Sequence, residues 1–331
     1  MNFKKKLLIV LALIAAAGGY YYAALPAINI HSSETWFFVI FLLAALAVVY
    51  AVRRKLDRKE MKQSKVMKFF GVLILCAGIV YLLGSLLSSP IVNAKKYQKL
   101  LTVKEGEFTE DVEELSFDKI PLLDKGTAEI LGDRKMGSMV DMVSQFEVAG
   151  DYSQINYKGV PVRVTPLSYA SAIKWLTNQK SGIPAYILID MTTQNTECVK
   201  LTEGIKYSKG EYFNRNLYRH LRFRYPTYIF DDQLFFEIDE EGTPYWVCPV
   251  KKFNIGLFGG QTVGRVVLCN AQTGECVDYA VEDVPSWIDK VYSAELLVNL
   301  YDYSGLLKHG YWNSMLGQKD CLQSTNGYNY I

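Results

Sequence analysis

Along residues 1–92, polar positions are confined to short interruptions between three uncharged runs: Leu7 to Ile28 (22 residues), Thr35 to Val52 (18 residues) and Phe69 to Val92 (24 residues). A bilayer core is crossed by about 20 apolar helical residues. The pattern therefore predicts three membrane-spanning helices, with "NIHSSE" as the turn of a helical hairpin between the first two. A rival reading takes Lys4 to Lys6 and the first run as a secretory signal peptide, with "AAA" or "YAA" as its cleavage site. Two further spans follow immediately, which favours the first reading.

Beyond Val92 the pattern changes. Residues 93–125 are charged, with an acidic patch "EGEFTEDVEE", and read as a tether. From Gly126 the periods of strands and helices alternate, which predicts an α+β fold of one or two small helix-plus-antiparallel-sheet modules, 126–205 and 206–331. In "GVPVRVT", Val160, Val162 and Val164 fall on one strand face. Thr165 then reads as the cap of a helix with Pro166 at its first position and Tyr169, Ala172, Ile173 and Leu176 on its apolar face. "AYILID" and "ECVKL" read as strands around a turn.

In the second module Ser208 and Glu211 have capping-box spacing, and Phe213, Leu217 and Leu221 make a core stripe. Four strands are expected at "QLFFEI", "PYWVCPV", "TVGRVVLC" and "ECVDYA", the first two joined by the polar turn "DEEG", and the glycine-rich "GLFGGQTVG" reads as a long, mobile loop between two strands. A helix capped by Asp283 or Ser286 follows, with Ile288, Val291 and Tyr292 facing inward. The final "CLQSTNGYNYI" combines an Asn326-Gly327 turn with the start of a strand that has no partner after it, so a truncated module is one expectation.

Charge adds orientation. Residues 1–92 carry 11 Lys+Arg against 3 Asp+Glu, whereas residues 93–331 carry 25 against 31. Lys4 to Lys6 and the seven Lys+Arg of "RRKLDRKEMKQSK" place the amino terminus and that loop in the cytoplasm, and residues 93–331 outside. Lys95, Lys96 and Lys99 run against this rule. Membrane lipid and a protein or cell-wall component are the expected partners; nucleic acid is not.

Candidate chemistry is sparse. Ser171 and Lys174, followed by Lys180-Ser181-Gly182, echo the motifs of penicillin-binding enzymes, but those enzymes separate the two motifs by a long insertion that is missing here. His31, His220 and His309 show no ligand spacing and there is no Cys-x-x-Cys, so no metal or cofactor is expected. "GLFGGQTVG" lacks the Lys-Ser/Thr of a phosphate loop, and "DEEG" and "VEDV" lack the alternating oxygens of a calcium loop. Arg215, Arg219 and Arg222 form a basic stripe that reads either as a solvated helix face or as a docking face for an anionic partner. Tyr301, Tyr303, Tyr311, Tyr328 and Tyr330 suit either a ligand platform or a domain seam. In "VVLCNAQTGECVDY", a four-residue loop from Ala271 to Gly274 sets Cys269 opposite Cys276, Leu268 opposite Val277 and Val266 opposite Tyr279. The two cysteines then face each other, and a disulfide is open to them if the pair is a non-hydrogen-bonded one. Cys198, Cys248 and Cys321 leave an odd remainder.

The run "FFEIDEEGTPYWVCPV", with Asn270, Thr273, Gly274 and Glu275 placed between strands and "VPSWIDKVY" after them, resembles a PepSY module over residues 208–300. "YKGVPVRVTPLSYASAIKW" and "SGIPAYILIDM" resemble parts of multi-span membrane proteins of Gram-positive bacteria that carry such modules. The resemblance implies a cystatin-like helix and sheet, and a non-catalytic envelope protein that binds or regulates a protein, a peptidase included, or a wall component. The alternative is an envelope hydrolase or its accessory subunit.

Overall fold

The computed structural model describes residues 3–104, 106–111, 114, 116 and 120–325. The Asn326-Gly327 turn and the strand expected after it lie outside these residues, as do Tyr328 and Tyr330. The chain opens with helices α1 (Phe3–Ala24), α2 (Ser33–Arg54), α3 (Arg58–Gln63), α4 (Lys65–Ser88) and α5 (Pro90–Gln98). Among the described residues, two of them, α2 and α4, are long and apolar enough to cross a membrane. Their apolar side chains, among them Phe41, Val48, Phe69, Leu75 and Leu83, remain exposed. Local chemistry fixes the helix ends. Arg53 and Arg54 complement the dipole in the last turn of α2, and Lys55 closes it in the left-handed region. Asp57 and Glu60 form a reciprocal capping box at α3, and Pro90 at the first turn of α5 ends α4.

The expected tether is only partly separate. Helix α5 continues from α4 to Gln98, and Tyr97 buries its ring against Ile255 and Leu307 while its hydroxyl donates to the Ser88 carbonyl at 2.6 Å. Two short helices follow, α6 (Phe108–Asp111) and α7 (Lys125–Gly137), and the Leu122 N–H donates to the Met191 carbonyl.

Nine strands make two antiparallel sheets among the described residues. The first contains β1 (Phe146–Val148), β2 (Ser153–Tyr157), β3 (Val160–Tyr169), β4 (Ile183–Asp190) and β5 (Thr196–Ile205), in the order β1-β3-β4-β5 with β2 also on β3. The second is a meander of β6 (Phe235–Ile238), β7 (Pro244–Ile255), β8 (Gly259–Asn270) and β9 (Cys276–Ala280). Helices α8 (Ala172–Asn178), α9 (Leu217–Arg224) and α10 (Ala294–Leu306) complete the fold.

The α+β class holds, but the two expected modules share one core. Val164, Ile187 and Tyr186 of the first sheet and Phe236, Trp246 and Val267 of the second belong to a single buried cluster. The opposite face of the second sheet, through Val247, Val266 and Leu268, packs on Ile288, Leu296 and Leu300.

Three expected helix starts are corrected by partners distant in sequence. Residues 165–169 continue β3 because β1 and β4 pair with them: Phe146 lies opposite Tyr169, and Ile187 opposite Thr165. The helix starts instead at Ser171, whose hydroxyl accepts from the Lys174 N–H, and Ile173 and Leu176 are exposed (73% and 62%). The Ser171/Lys174 pair is therefore a helix cap. Ser208 and Glu211 form no capping box; Asn216 caps α9, burying Leu217 and Leu221 but leaving Phe213 outside at 65% exposure. The helix expected to be capped by Asp283 or Ser286 is instead capped by Ser293, ten or seven residues later. Buried Glu237 accepts the N–H groups of Asp289 and Lys290 at 3.0 and 2.9 Å, which holds 284–292 in an irregular course with a turn at Ser286-Trp287.

The β8–β9 register is the expected one: Cys269 opposite Cys276, Leu268 opposite Val277, Val266 opposite Tyr279. Its turn has a stated chemistry. The Asn270 carboxamide oxygen accepts from Gln272 and Thr273, and Gly274 takes φ +76°, against the Tyr207 ring, where a Cβ would collide. The expected long loop before β8 is instead a tight tip, with Ile255 paired to Gly259. Its Leu257 and Phe258 N–H groups donate to the Ser88 hydroxyl at 2.8 and 3.1 Å, and Gly259 approaches the Ser88 carbonyl too closely for any side chain.

Candidate functional site

The β8–β9 hairpin decides the geometry of its cysteines. The Asn270 N–H donates to the Glu275 carbonyl at 2.8 Å, so the next pair along the ladder, Cys269 and Cys276, is a non-hydrogen-bonded one. Such pairs bring Cα atoms to roughly 4.5 Å, the closest approach a ladder offers. Both side chains point away from Val266 and Leu268 and into the shared core, and both are buried free thiols, so the disulfide left open by the register is not formed in this structure.

Helix α9 supplies a third group. With Leu217 and Leu221 fixing its buried face, His220 turns toward the hairpin, where its Nε2 donates to the Gly274 carbonyl at 2.7 Å and its ring packs 4.6 Å from that of Tyr207. The ligating atoms of His220, Cys269 and Cys276 lie within 4.8 Å of one another. The absence of ligand spacing among histidines thus does not describe the folded chain: strand pairing and a helix contact assemble what spacing does not encode.

The electrostatics are uneven. A hydrogen bond with Cys269 lowers the Cys276 thiol to about 6 against the opposing cost of burial, with His220 and Arg224 adding to the effect. Cys269 is pushed up, because its thiol shares that bond and burial penalises a second negative charge. His220 is raised, chiefly by its bond with Cys276, partly offset by burial. The two thiols therefore titrate as one coupled pair beside the imidazole, the first negative charge favoured and the second opposed by burial. Cys248 lies behind it in β7, raised by burial, its thiol directed at the Trp246 carbonyl.

The arginine stripe is not a free docking face. Arg222, 9% exposed, donates to the Leu25 and Tyr228 carbonyls, and Arg219 donates to the Tyr22 and Phe213 carbonyls with its guanidinium 4.2 Å from the Tyr22 ring centre. Arg215 bonds the Gln179 carbonyl. Two of the three therefore receive unpaired carbonyls at the end of α1, a role helix C-termini favour for cations. Helical spacing holds only for Arg219 and Arg222, which share α9 and meet the end of α1; Arg215 precedes that helix and is turned to Gln179 instead.

The other expected residues are scattered. His31 Nδ1 donates to the Leu257 carbonyl at 2.7 Å and its ring stacks on Phe253, while His309 pairs with Asp320 on the surface. A cavity of about 780 Å³ beside α1 is lined in part by His31, Ser32, Glu34 and Asp231, but among the described residues no hydrogen bond joins His31 to a serine or carboxylate. Tyr303 packs on Tyr97 in the seam with α5, whereas Tyr301 is exposed. A second cavity, about 570 Å³, lies along β5 and is lined by Tyr157, Glu197, Glu203 and Glu241 among others.

No family model, no curated protein and no solved structure matches the chain.

Proposed function

We propose that the protein is a membrane-anchored cell-envelope protein whose α+β part, 93–331, lies outside the cell and binds a protein or wall component without catalysing a reaction. The observation that carries this reading is the join between the apolar helices and the sheets. Ser88, at the end of α4, accepts the tip of the β7–β8 hairpin; the Ile28 N–H donates to the Pro226 carbonyl; and Arg219 and Arg222 hold the end of α1. These ends all meet the α+β part, while the basic loop between α2 and α4 lies at the opposite ends of those helices. That arrangement supports α1 as a third span and agrees with cytoplasmic placement of the basic loop.

The order α9, then β6 to β9, together with the Asn270-to-Glu275 turn, supports the PepSY-like reading, although α9 has only eight residues. The binding surface in this reading is the cleft along β5, an edge strand of its sheet. Exposed backbone at such an edge accepts an added strand, and Glu197, Glu203 and Glu241, set against a single lysine, Lys200, that Asp141 already pairs, give the cleft a preference for a cationic peptide segment. The test is capture of envelope components by the full chain in detergent, compared with an E197K/E203K/E241K variant. A bound species lost on charge reversal supports the reading. Identical capture by both proteins, or none by either, removes the cleft from it.

A further inference from the structure

Two thiols and an imidazole converge where α9 crosses the β8–β9 hairpin, with their donor atoms within 4.8 Å of one another. We infer that His220, Cys269 and Cys276 bind a single thiophilic d10 metal ion, Cu+ or Zn2+. The donor set is soft, which selects these ions over Mg2+, Ca2+ and Mn2+, whose sites are built from oxygen.

The spacing is close to that of a metal site. Zn–S bonds of about 2.3 Å put two sulfurs of a tetrahedral set roughly 3.8 Å apart. Donors now within 4.8 Å therefore have to close by about 1 Å at most. The frame that carries them is well braced. Both cysteines sit on paired strands in the same buried cluster as Trp246 and Cys248, and His220 belongs to a helix capped by Asn216 and anchored by Leu217 and Leu221. The Gly274 carbonyl accepting from Nε2 is the kind of backbone partner that orients a ligating ring.

Charge is also accommodated. Two thiolates and a neutral imidazole around Zn2+ sum to zero, so the buried group carries no net charge. Around Cu+ one negative charge remains, and Arg224 lies near enough to stabilise it. Three protein donors complete a trigonal Cu+ site. Zn2+ takes one more ligand, and the half-buried side of His220 leaves a way in for a water. Binding leaves both sulfurs as thiolates and the imidazole neutral, with whatever protons they still hold passing to solvent, and transfers no electrons. Cys248, directed at the Trp246 carbonyl, stays outside the set.

The test uses the full chain, reduced and in detergent under nitrogen. It is titrated separately with Cu+ against a bicinchoninate competitor and with Zn2+ against a chromophoric chelator. One equivalent of either ion is expected, with affinity falling at least tenfold in Cys269→Ser, Cys276→Ser and His220→Ala; the arm that binds identifies the ion. X-ray absorption at the metal edge of the unmodified chain is expected to give two sulfur neighbours near 2.3 Å, which decides the matter even if the serine variants fail to fold. The inference is overturned if neither ion binds, if uptake is unchanged in the variants, if the metal has only nitrogen and oxygen neighbours, or if Cys269 and Cys276 remain a disulfide under strong reductant.

Discussion

Glu237 makes the stability of the α+β part depend on pH in an unusual direction. Its carboxylate is fully buried in β6, and burial raises it from 4.5 to about 7, against the lowering effect of the Asp289 and Lys290 N–H groups it accepts. Between those values the folded chain holds a proton that the unfolded chain has released. Stability is then fully present below the unfolded value and falls as pH rises, levelling off above the folded one. A rise of between two and three pH units at about 1.4 kcal/mol each makes the whole effect about 3 kcal/mol, most of it between pH 5 and 8. The perturbation is Glu237→Gln, which keeps the size and one acceptor but cannot titrate. Urea unfolding of the full chain in detergent, followed by tryptophan fluorescence at pH 5 and pH 8, compares the two proteins. The unmodified chain is expected to lose roughly 2 to 3 kcal/mol more than the variant over that interval. Parallel pH dependences, or a relative gain by the unmodified chain at pH 8, would refute the reasoning.

Other perturbations probe the joins. Trp246→Ala is expected to cost about 3–5 kcal/mol and to destabilise both sheets in one transition, because both line the same cluster; hydrogen exchange showing the first sheet unaffected would separate them. Ser88→Ala removes the acceptor of two N–H groups at the hairpin tip, a loss of about 1–3 kcal/mol, read as faster amide exchange at Leu257 and Phe258 with little change in β4. Val277→Lys, on the same sheet face as Val266 but at the edge strand and 43% exposed, is expected to shift stability by less than about 0.5 kcal/mol. Val266→Lys, paired one step away but buried against α10, is expected to unfold the second sheet.

What could be read from the chain depended on how local its causes were. The β8–β9 hairpin was legible because Asn270, Gly274 and the alternation around them settle its turn and register within a dozen residues. The true start of α8 was not, since β1 claims residues 167–169 for a strand and nothing beside Pro166 reports that partner. Residues 284–292 look helical by themselves and run irregularly instead, with Glu237 taking two of the N–H groups a helix would use. Of the three arginines only Arg219 and Arg222 share a helix, since Asn216 starts α9 after Arg215, and spacing along the chain carries no information that the end of α1 covers that pair. His220 and the two cysteines belong to segments far apart in sequence, and only strand pairing plus the seating of α9 joins them.

The central claim is an anchored chain with its sheets outside and its basic loop inside. With Cys76, Cys198 and Cys321 replaced by serine, Lys62→Cys and Lys308→Cys place a thiol at an exposed position on each side. A membrane-impermeant maleimide applied to intact cells is expected to label the thiol introduced at 308 at once and that at 62 only after permeabilisation. Labelling of position 62 in intact cells, or protection of position 308 until the membrane is opened, would contradict the account.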